Sequence, residues 1–109
     1  MKKLLFILLL TIPFFGCGER GSFSSSDHYD NGQVKSEGTF KKNKLHGLWR
    51  FYYENGQSKY HINYTYGKKN GIYKQWYENG QLQYESTYKD GVKISGKCWD
   101  LKGNKIKCK

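Results

Sequence analysis

Three histidines, two recurrent glutamates and three cysteines are the residues of this chain whose types could do chemistry. His28, His46 and His61 would act as bases or metal ligands only beside a nucleophile or further ligands. No serine or cysteine falls at a spacing that recruits one of them: His28 lies by the N-terminal tether, His46 in a turn and His61 on a strand opposite Trp49. All three read as surface histidines. Glu54 and Glu78 recur 24 residues apart in equivalent turns. Paired carboxylates suggest acid–base hydrolysis where they converge to roughly 5–10 Å across a concave site. Successive turns of a flat sheet are about 9–10 Å apart, yet on a convex rim, and turn chemistry explains an acid there. Cys98, Asp100 and Cys108 match no standard zinc spacing and lack two further soft ligands. No catalytic residue, metal or cofactor is expected, and the chain does not read as an enzyme.

The third cysteine points to a different chemistry. Met1-Lys2-Lys3 precedes an uncharged run from Leu4 to Phe15, ending at Gly16-Cys17. A spanning helix needs roughly 20 apolar residues, so this run has the length of a signal h-region instead. Phe14-Phe15-Gly16-Cys17 resembles the lipobox of bacterial lipoproteins, in which a small residue precedes a cysteine that is acylated and becomes residue one. The two phenylalanines depart from that pattern, and a plain secretory signal with a free Cys17 is the competing reading. Residues 1–16 are read as a lipoprotein signal peptide, Cys17 as the lipidation site, and 17–28 as a lipidated, Gly/Ser-rich flexible tether. The expected location is the cell envelope, anchored to a membrane. Gly18 after the cysteine, by resemblance to lipoprotein sorting rules, favours the outer one.

Export leaves Cys98 and Cys108 as an even pair in an oxidising compartment, which favours a bridge. Register argues the other way. Pairing Cys98 with Ile106 makes Cys108 a diagonal neighbour at roughly 7–8 Å, where bridged Cβ atoms stand about 3.8 Å apart.

The whole chain carries a formal charge of +10, and loss of residues 1–16 removes two lysines and no acid. Such a balance favours anionic lipid headgroups, lipopolysaccharide or nucleic acid. Export makes nucleic acid the least expected of these, and a basic surface that only keeps the fold soluble is the plain alternative.

The elements that must position these residues repeat. Tyr53-Glu54-Asn55-Gly56-Gln57 recurs as Tyr77-Glu78-Asn79-Gly80-Gln81, and Tyr29-Asp30-Asn31-Gly32-Gln33 precedes it by the same 24 residues. A worn copy follows at Asp100-Leu101-Lys102-Gly103-Asn104. The domain is therefore 29–109, with repeats at about 29–52, 53–76, 77–99 and a partial 100–109. Each repeat has two turn signals. Asn-Gly between aromatic runs marks a hairpin; looser turns are expected at Lys42-Asn43-Lys44, Gly67-Lys68-Lys69 and Asp90-Gly91-Val92. Two turns give two strands per repeat, and Tyr, Phe, Trp and Thr disfavour helix. The expected fold is all-β, a single-layer antiparallel up-and-down meander of repeated hairpins.

Loop length follows from the faces. Apolar residues fall on even numbers on both sides of the Asn-Gly turns, and cross-strand partners share a face. A three-residue loop, Glu54-Asn55-Gly56, satisfies this by pairing Tyr53 with Gln57, Tyr52 with Ser58 and Leu48 with Ile62. It places Gly32, Gly56, Gly80 and Gly103 in the left-handed region as bulge glycines. Aromatics also lie on the odd face, so the sheet should be thin, its repeats burying one another through ring stacks.

Tyr60-x-Ile62-x-Tyr64-x-x-Gly67-Lys68-x-x-Gly71-x-Tyr73 resembles the MORN repeat, with Ile62 and Tyr73 where the standard repeat has glycine. The Tyr-Glu-Asn-Gly-Gln turn is similar to bacterial MORN-variant repeats of proteins labelled as toxin–antitoxin antitoxins. The resemblance covers about residues 29–108 and implies a β-meander used for protein or lipid contact. Lys41, Lys42, Lys44, Lys68, Lys69, Lys89 and Lys93 gather at the looser turns, while Asp30, Glu54 and Glu78 occupy the Asn-Gly turns. One rim of the sheet is expected to be basic and the other acidic. The function expected is a non-catalytic, membrane-anchored module binding an unidentified protein or an anionic envelope surface. An antitoxin or immunity-type protein that neutralises a toxin is the alternative.

Overall fold

A computed structural model describes residues 21–109. The expected signal segment, residues 1–16, and the expected lipidation site Cys17 lie outside the described residues. Eight strands run β1 (Ser22–His28), β2 (Val34–Lys41), β3 (Lys44–Tyr52), β4 (Ser58–Thr65), β5 (Lys68–Trp76), β6 (Leu82–Lys89), β7 (Val92–Trp99) and β8 (Lys105–Ile106). They form one antiparallel sheet in the order of the chain, each strand beside its sequence neighbour. This is the expected meander, and its two turn types alternate.

The Asn-Gly turns are three-residue loops. Tyr53 N–H donates to the Gln57 carbonyl at 2.8 Å and Gly56 N–H to the Tyr53 carbonyl at 3.0 Å. Gly32, Gly56, Gly80 and Gly103 all have φ near +90°, the left-handed position that closes such a loop. The other turns are tighter than expected. Lys42-Asn43, Tyr66-Gly67 and Asp90-Gly91 have positive φ at both residues, which is the type I′ two-residue hairpin. Its twist matches that of the strands, so Lys44, Lys68 and Val92 belong to strands rather than loops.

Register departs from the expected even-with-even scheme one residue past the loop. Tyr52 pairs with Ser58, but Phe51 then pairs with Tyr60 and Trp49 with Ile62. Lys59 is the extra residue of a bulge, as Lys35 and Gln83 are in the equivalent hairpins. One inserted residue turns every later side chain to the opposite face. Leu48 therefore pairs with Asn63 rather than Ile62, and His61 lies opposite Arg50 rather than Trp49. Leu48 and Ile72 are 38% and 44% exposed, because the bulge delivers the odd residues Trp49 and Phe51 to the packed face.

The segment expected to be a tether is largely a strand. Ser22 to Asp27 pair residue by residue with Lys41 to Ser36. Serine offers little side chain to bury, and the gain comes from satisfying the outer edge of β2 and from Phe23, which stacks on Phe40 at 5.2 Å.

Packing is a ribbon of rings across one face. It runs from Phe23 and Phe40 through Trp49 and Phe51 to Tyr60, Tyr73, Tyr84 and Tyr88, with centroids 5.1–6.3 Å apart. Among the described residues only Trp49, Ile62 and Ser86 are buried. The Trp49 indole lies flat on Gly38, where any Cβ would overlap the ring, and its N–H reaches the Thr39 carbonyl at 2.8 Å.

Cys98 pairs with Ile106, and Cys98 and Cys108 are bonded with Cα atoms 5.3 Å apart. The diagonal spacing that argued against a bridge does not apply, because β8 ends at Ile106. Past that point the chain is free of the ladder and folds back.

Candidate functional site

Alternate turns of a meander fall at opposite ends of its strands, so the sheet has two rims. The Asn-Gly rim is a hydrogen-bonded ladder. The hydroxyls of Tyr29, Tyr53 and Tyr77 donate to the carbonyls of Tyr52, Trp76 and Trp99 at 2.7, 2.7 and 2.8 Å. The amides of Asn31, Asn55 and Asn79 donate to the carbonyls of Glu54, Glu78 and Leu101 at 3.1–3.2 Å. Each Asn oxygen accepts the N–H of Gln33, Gln57 or Gln81 at 2.9 Å, closing its own loop. Every turn is thus tied to the next one along the chain.

The last turn has neither donor, since Asp100 and Lys102 replace Tyr and Asn. Asp100 instead accepts the N–H groups of Lys102 and Asn104 at 3.0 and 2.9 Å. Those bonds, the Asn104 N–H foremost, hold its carboxyl below the usual range. This turn satisfies itself where the three before it each bond a following turn.

The model of a MORN repeat variant family matches residues 25–42, 45–66 and 69–90, more than half of the chain. The chain belongs to that family. No curated protein matches the chain, and no solved structure does. Each MORN unit is one hairpin centred on an Asn-Gly loop: β1–β2, β3–β4 and β5–β6. The sequence repeat was cut at those loops instead, half a unit out of phase. The period alone does not say which turn is the centre.

At the other end of the MORN units lies the type I′ rim, where the seven expected lysines gather. Lys41 and Lys44 stand directly opposite each other, and Lys68 pairs with Thr65 beside the next turn. The one ion pair among the described residues is Arg50 with Glu37, at 3.8 Å, so no carboxylate holds a rim lysine. Lys69 leaves the rim: its amine lies 4.9 Å from the Tyr73 ring and 5.1 Å from Tyr88. Lys93 lies 5.6 Å over Tyr84, and Lys41 5.9 Å over Tyr66. Ring faces attract an ammonium, which the charge count along the chain did not consider. Lys42, Lys44, Lys68 and Lys89 remain at the rim. The expected charge segregation is incomplete, because Asp90 occupies a basic-rim turn and Lys102 an acidic-rim one.

His46 and His61 have structural partners. His46 is a strand residue rather than a turn residue; its Nδ1 accepts the Tyr66 N–H at 3.2 Å, with the rings 4.5 Å apart. His61 stands edge-on to Trp76 at 4.6 Å. Burial, with Arg50 and Lys74 adding to it, pushes its pKa below the usual value. Neither meets a nucleophile. Among the described residues no group of three His, Cys, Asp or Glu side chains converges as a metal site would require.

Proposed function

We propose that this MORN-repeat chain is a non-catalytic, membrane-anchored module whose basic rim contacts an anionic envelope surface. The observation that carries this reading is where the chain enters the sheet. Ser22 pairs with Lys41, and the Gly21 carbonyl accepts the Lys42 N–H at 2.6 Å. A lipid on Cys17 is five residue steps from Ser22, a reach of at most roughly 18 Å. The anchor therefore leaves from the basic rim itself and holds Lys42, Lys44, Lys68 and Lys89 toward the headgroups.

Two measurements test it. Intact mass of the full chain isolated from envelope membranes should show an acylated Cys17 at the new N-terminus. Residues 18–109 keep all eight strands and should sediment with anionic vesicles at low salt. They should be released near 1 M salt, where the Debye length is about 3 Å. Replacing the four rim lysines with glutamine should abolish sedimentation without lowering the melting temperature. Binding that survives the four glutamines, or none at low salt, refutes the rim as a contact. A toxin that co-purifies with the chain in place of membrane binding would favour the antitoxin-type alternative.

A further inference from the structure

The third hairpin breaks the repeat at its bulge. Along the chain the bulge residue is Lys35, Lys59 and then Gln83, while the neighbouring position across the pair differs in each hairpin, as Asp27, Phe51 and then Gln75. In the second hairpin the Lys59 amine lies 5.4 Å from the Tyr53 ring and 5.5 Å from Tyr60, covering both. In the third hairpin the Tyr84 ring still has a cation 5.6 Å over it, Lys93, and the place of Lys59 is taken by Gln83. Its Oε1 accepts the Gln75 amide at 3.3 Å, and the Tyr73 hydroxyl reaches Gln75 at 3.1 Å. The exchange of Lys59 for Gln83 therefore uncovers one ring, Tyr77, over which no ammonium lies among the described residues.

A hollow of about 510 Å³ opens where that cover is lost, and Tyr77, Tyr84, Gln75, Gln83, Lys93 and Trp99 line it. Its far wall is the returning C-terminal segment, Ile106 to Lys109, held there by the Cys98–Cys108 bridge. The size is that of a small-ligand site. Its lining is aromatic, amide and cationic, with one aliphatic residue, Ile106, and no acidic side chain. An acyl chain would need aliphatic walls, which are missing. Ring faces suit the C–H faces of a pyranose, paired amides suit its hydroxyls, and lysines suit an acid group.

We propose that this hollow binds an anionic saccharide, a sugar bearing a carboxylate, with Tyr77 as the stacking platform. Gln75 and Gln83 bind its hydroxyls, and Lys93 and Lys107 take the acid group. The site is separate from the basic rim and does not depend on lipidation. The bridge that walls the hollow makes it a site of the oxidised protein.

The test uses the full chain in mild detergent, with Trp99 fluorescence or calorimetry as the readout. The probes are a trisaccharide of galacturonic acid, its carboxyl-reduced neutral counterpart, and acetate. The acidic trisaccharide should bind at least fivefold more tightly than the neutral one, and acetate should not displace it at equal concentration. Gln83→Lys restores the residue of the earlier hairpins and adds a positive charge. If the hollow is the site, the new amine covers the Tyr77 ring and binding falls at least tenfold; if binding is only attraction between opposite charges, it tightens. Reducing the bridge should also weaken binding, while Lys59→Gln in the second hairpin should leave it unchanged. The proposal is overturned if the acidic trisaccharide does not bind, if acetate displaces it fully, or if Gln83→Lys binds as well as the parent. The melting temperature of each variant separates loss of the site from loss of the fold. The four rim-lysine substitutions, which test the membrane contact, should leave saccharide binding intact.

Discussion

Replacing Tyr53 with phenylalanine removes one oxygen and tests whether the turn ladder holds the array together. The hydroxyl donates to the Trp76 carbonyl at 2.7 Å and is partly buried, so it exchanges poorly with water in the folded state. A net contribution of about 1 kcal/mol is expected for such a bond. In a domain of fewer than 100 residues that corresponds to a fall in melting temperature of roughly 4–8 °C. Tyr29 and Tyr77 make the same bond one unit earlier and one unit later. The three sites lie about 9–10 Å apart and share no partner, so their effects should nearly add. The triple variant should lose about 3 kcal/mol, a large part of the roughly 5–15 kcal/mol of a typical domain. Urea and thermal melts of the three single variants and the triple one measure this. Tyr66→Phe is the control, since its side chain is 39% exposed and its hydroxyl has no hydrogen-bond partner among the described residues. A Tyr53→Phe protein that melts with the parent refutes the ladder, and a triple variant no worse than a single one refutes its division into units.

Alanine at the loop glycines should be graded by what surrounds each one. Gly32→Ala meets nothing within 4 Å and should cost only the left-handed backbone penalty, about 1 kcal/mol. Gly103→Ala brings its Cβ to 3.1 Å from the Gln81 side-chain oxygen and should cost more; urea melts showing the reverse order would count against the turn geometry. Tyr73 should ionise late. Burial first, then the rings of Tyr60, Tyr88, Tyr84 and Tyr64, push its pKa from 10.0 up to about 12. Because the folded value is the higher one, its contribution to stability is complete below pH 10 and is lost as pH rises through 12. Phenolate absorbance should show one of the ten tyrosines titrating near 12, and Tyr73→Phe should flatten the alkaline loss of stability.

The meander and its three-residue loops were legible in the sequence because Tyr-x-Asn-Gly-Gln encodes a local geometry three times over, with a worn fourth copy. Asn closes the loop through its own side chain, and glycine takes the one position that excludes a Cβ. The faces were not legible beyond Tyr52, because a bulge at Lys59 has no residue signature and reverses the pattern from there on. β1 was missed for a related reason. Ser24, Ser25 and Ser26 carry no strand signal, and the strand exists because β2 presents an edge with unpaired backbone groups. The lysines were found, yet their split between rim and ring was not, since it depends on which tyrosine lies across the strand. The clue to the ladder was present: Tyr and Asn recur unchanged in three turns and are lost together in the fourth.

In a repeat array the residues that recur are the ones its neighbours need. Tyr29, Tyr53 and Tyr77 recur because each bonds the unit after it, and the loop glycines recur because each closes its own turn. A position that departs from the repeat has been released from that duty. The departures here sort into two groups by what they contact. Asp100 and Lys102 end the tyrosine–asparagine ladder: one satisfies its own loop, and the other stands where the earlier turns have the asparagine donor. Gln75 and Gln83 end nothing, since the ladder continues past them from Tyr77 to Trp99. They replace a ring and a ring-covering cation with two amides that bond each other beside an open hollow. The Tyr84 ring keeps a cation through Lys93, so the ring that the exchange of lysine for Gln83 leaves open is Tyr77. Two planar, neutral, hydrogen-bonding groups beside that open ring add nothing to the turn ladder, and a ligand with hydroxyls to bind gives them a use.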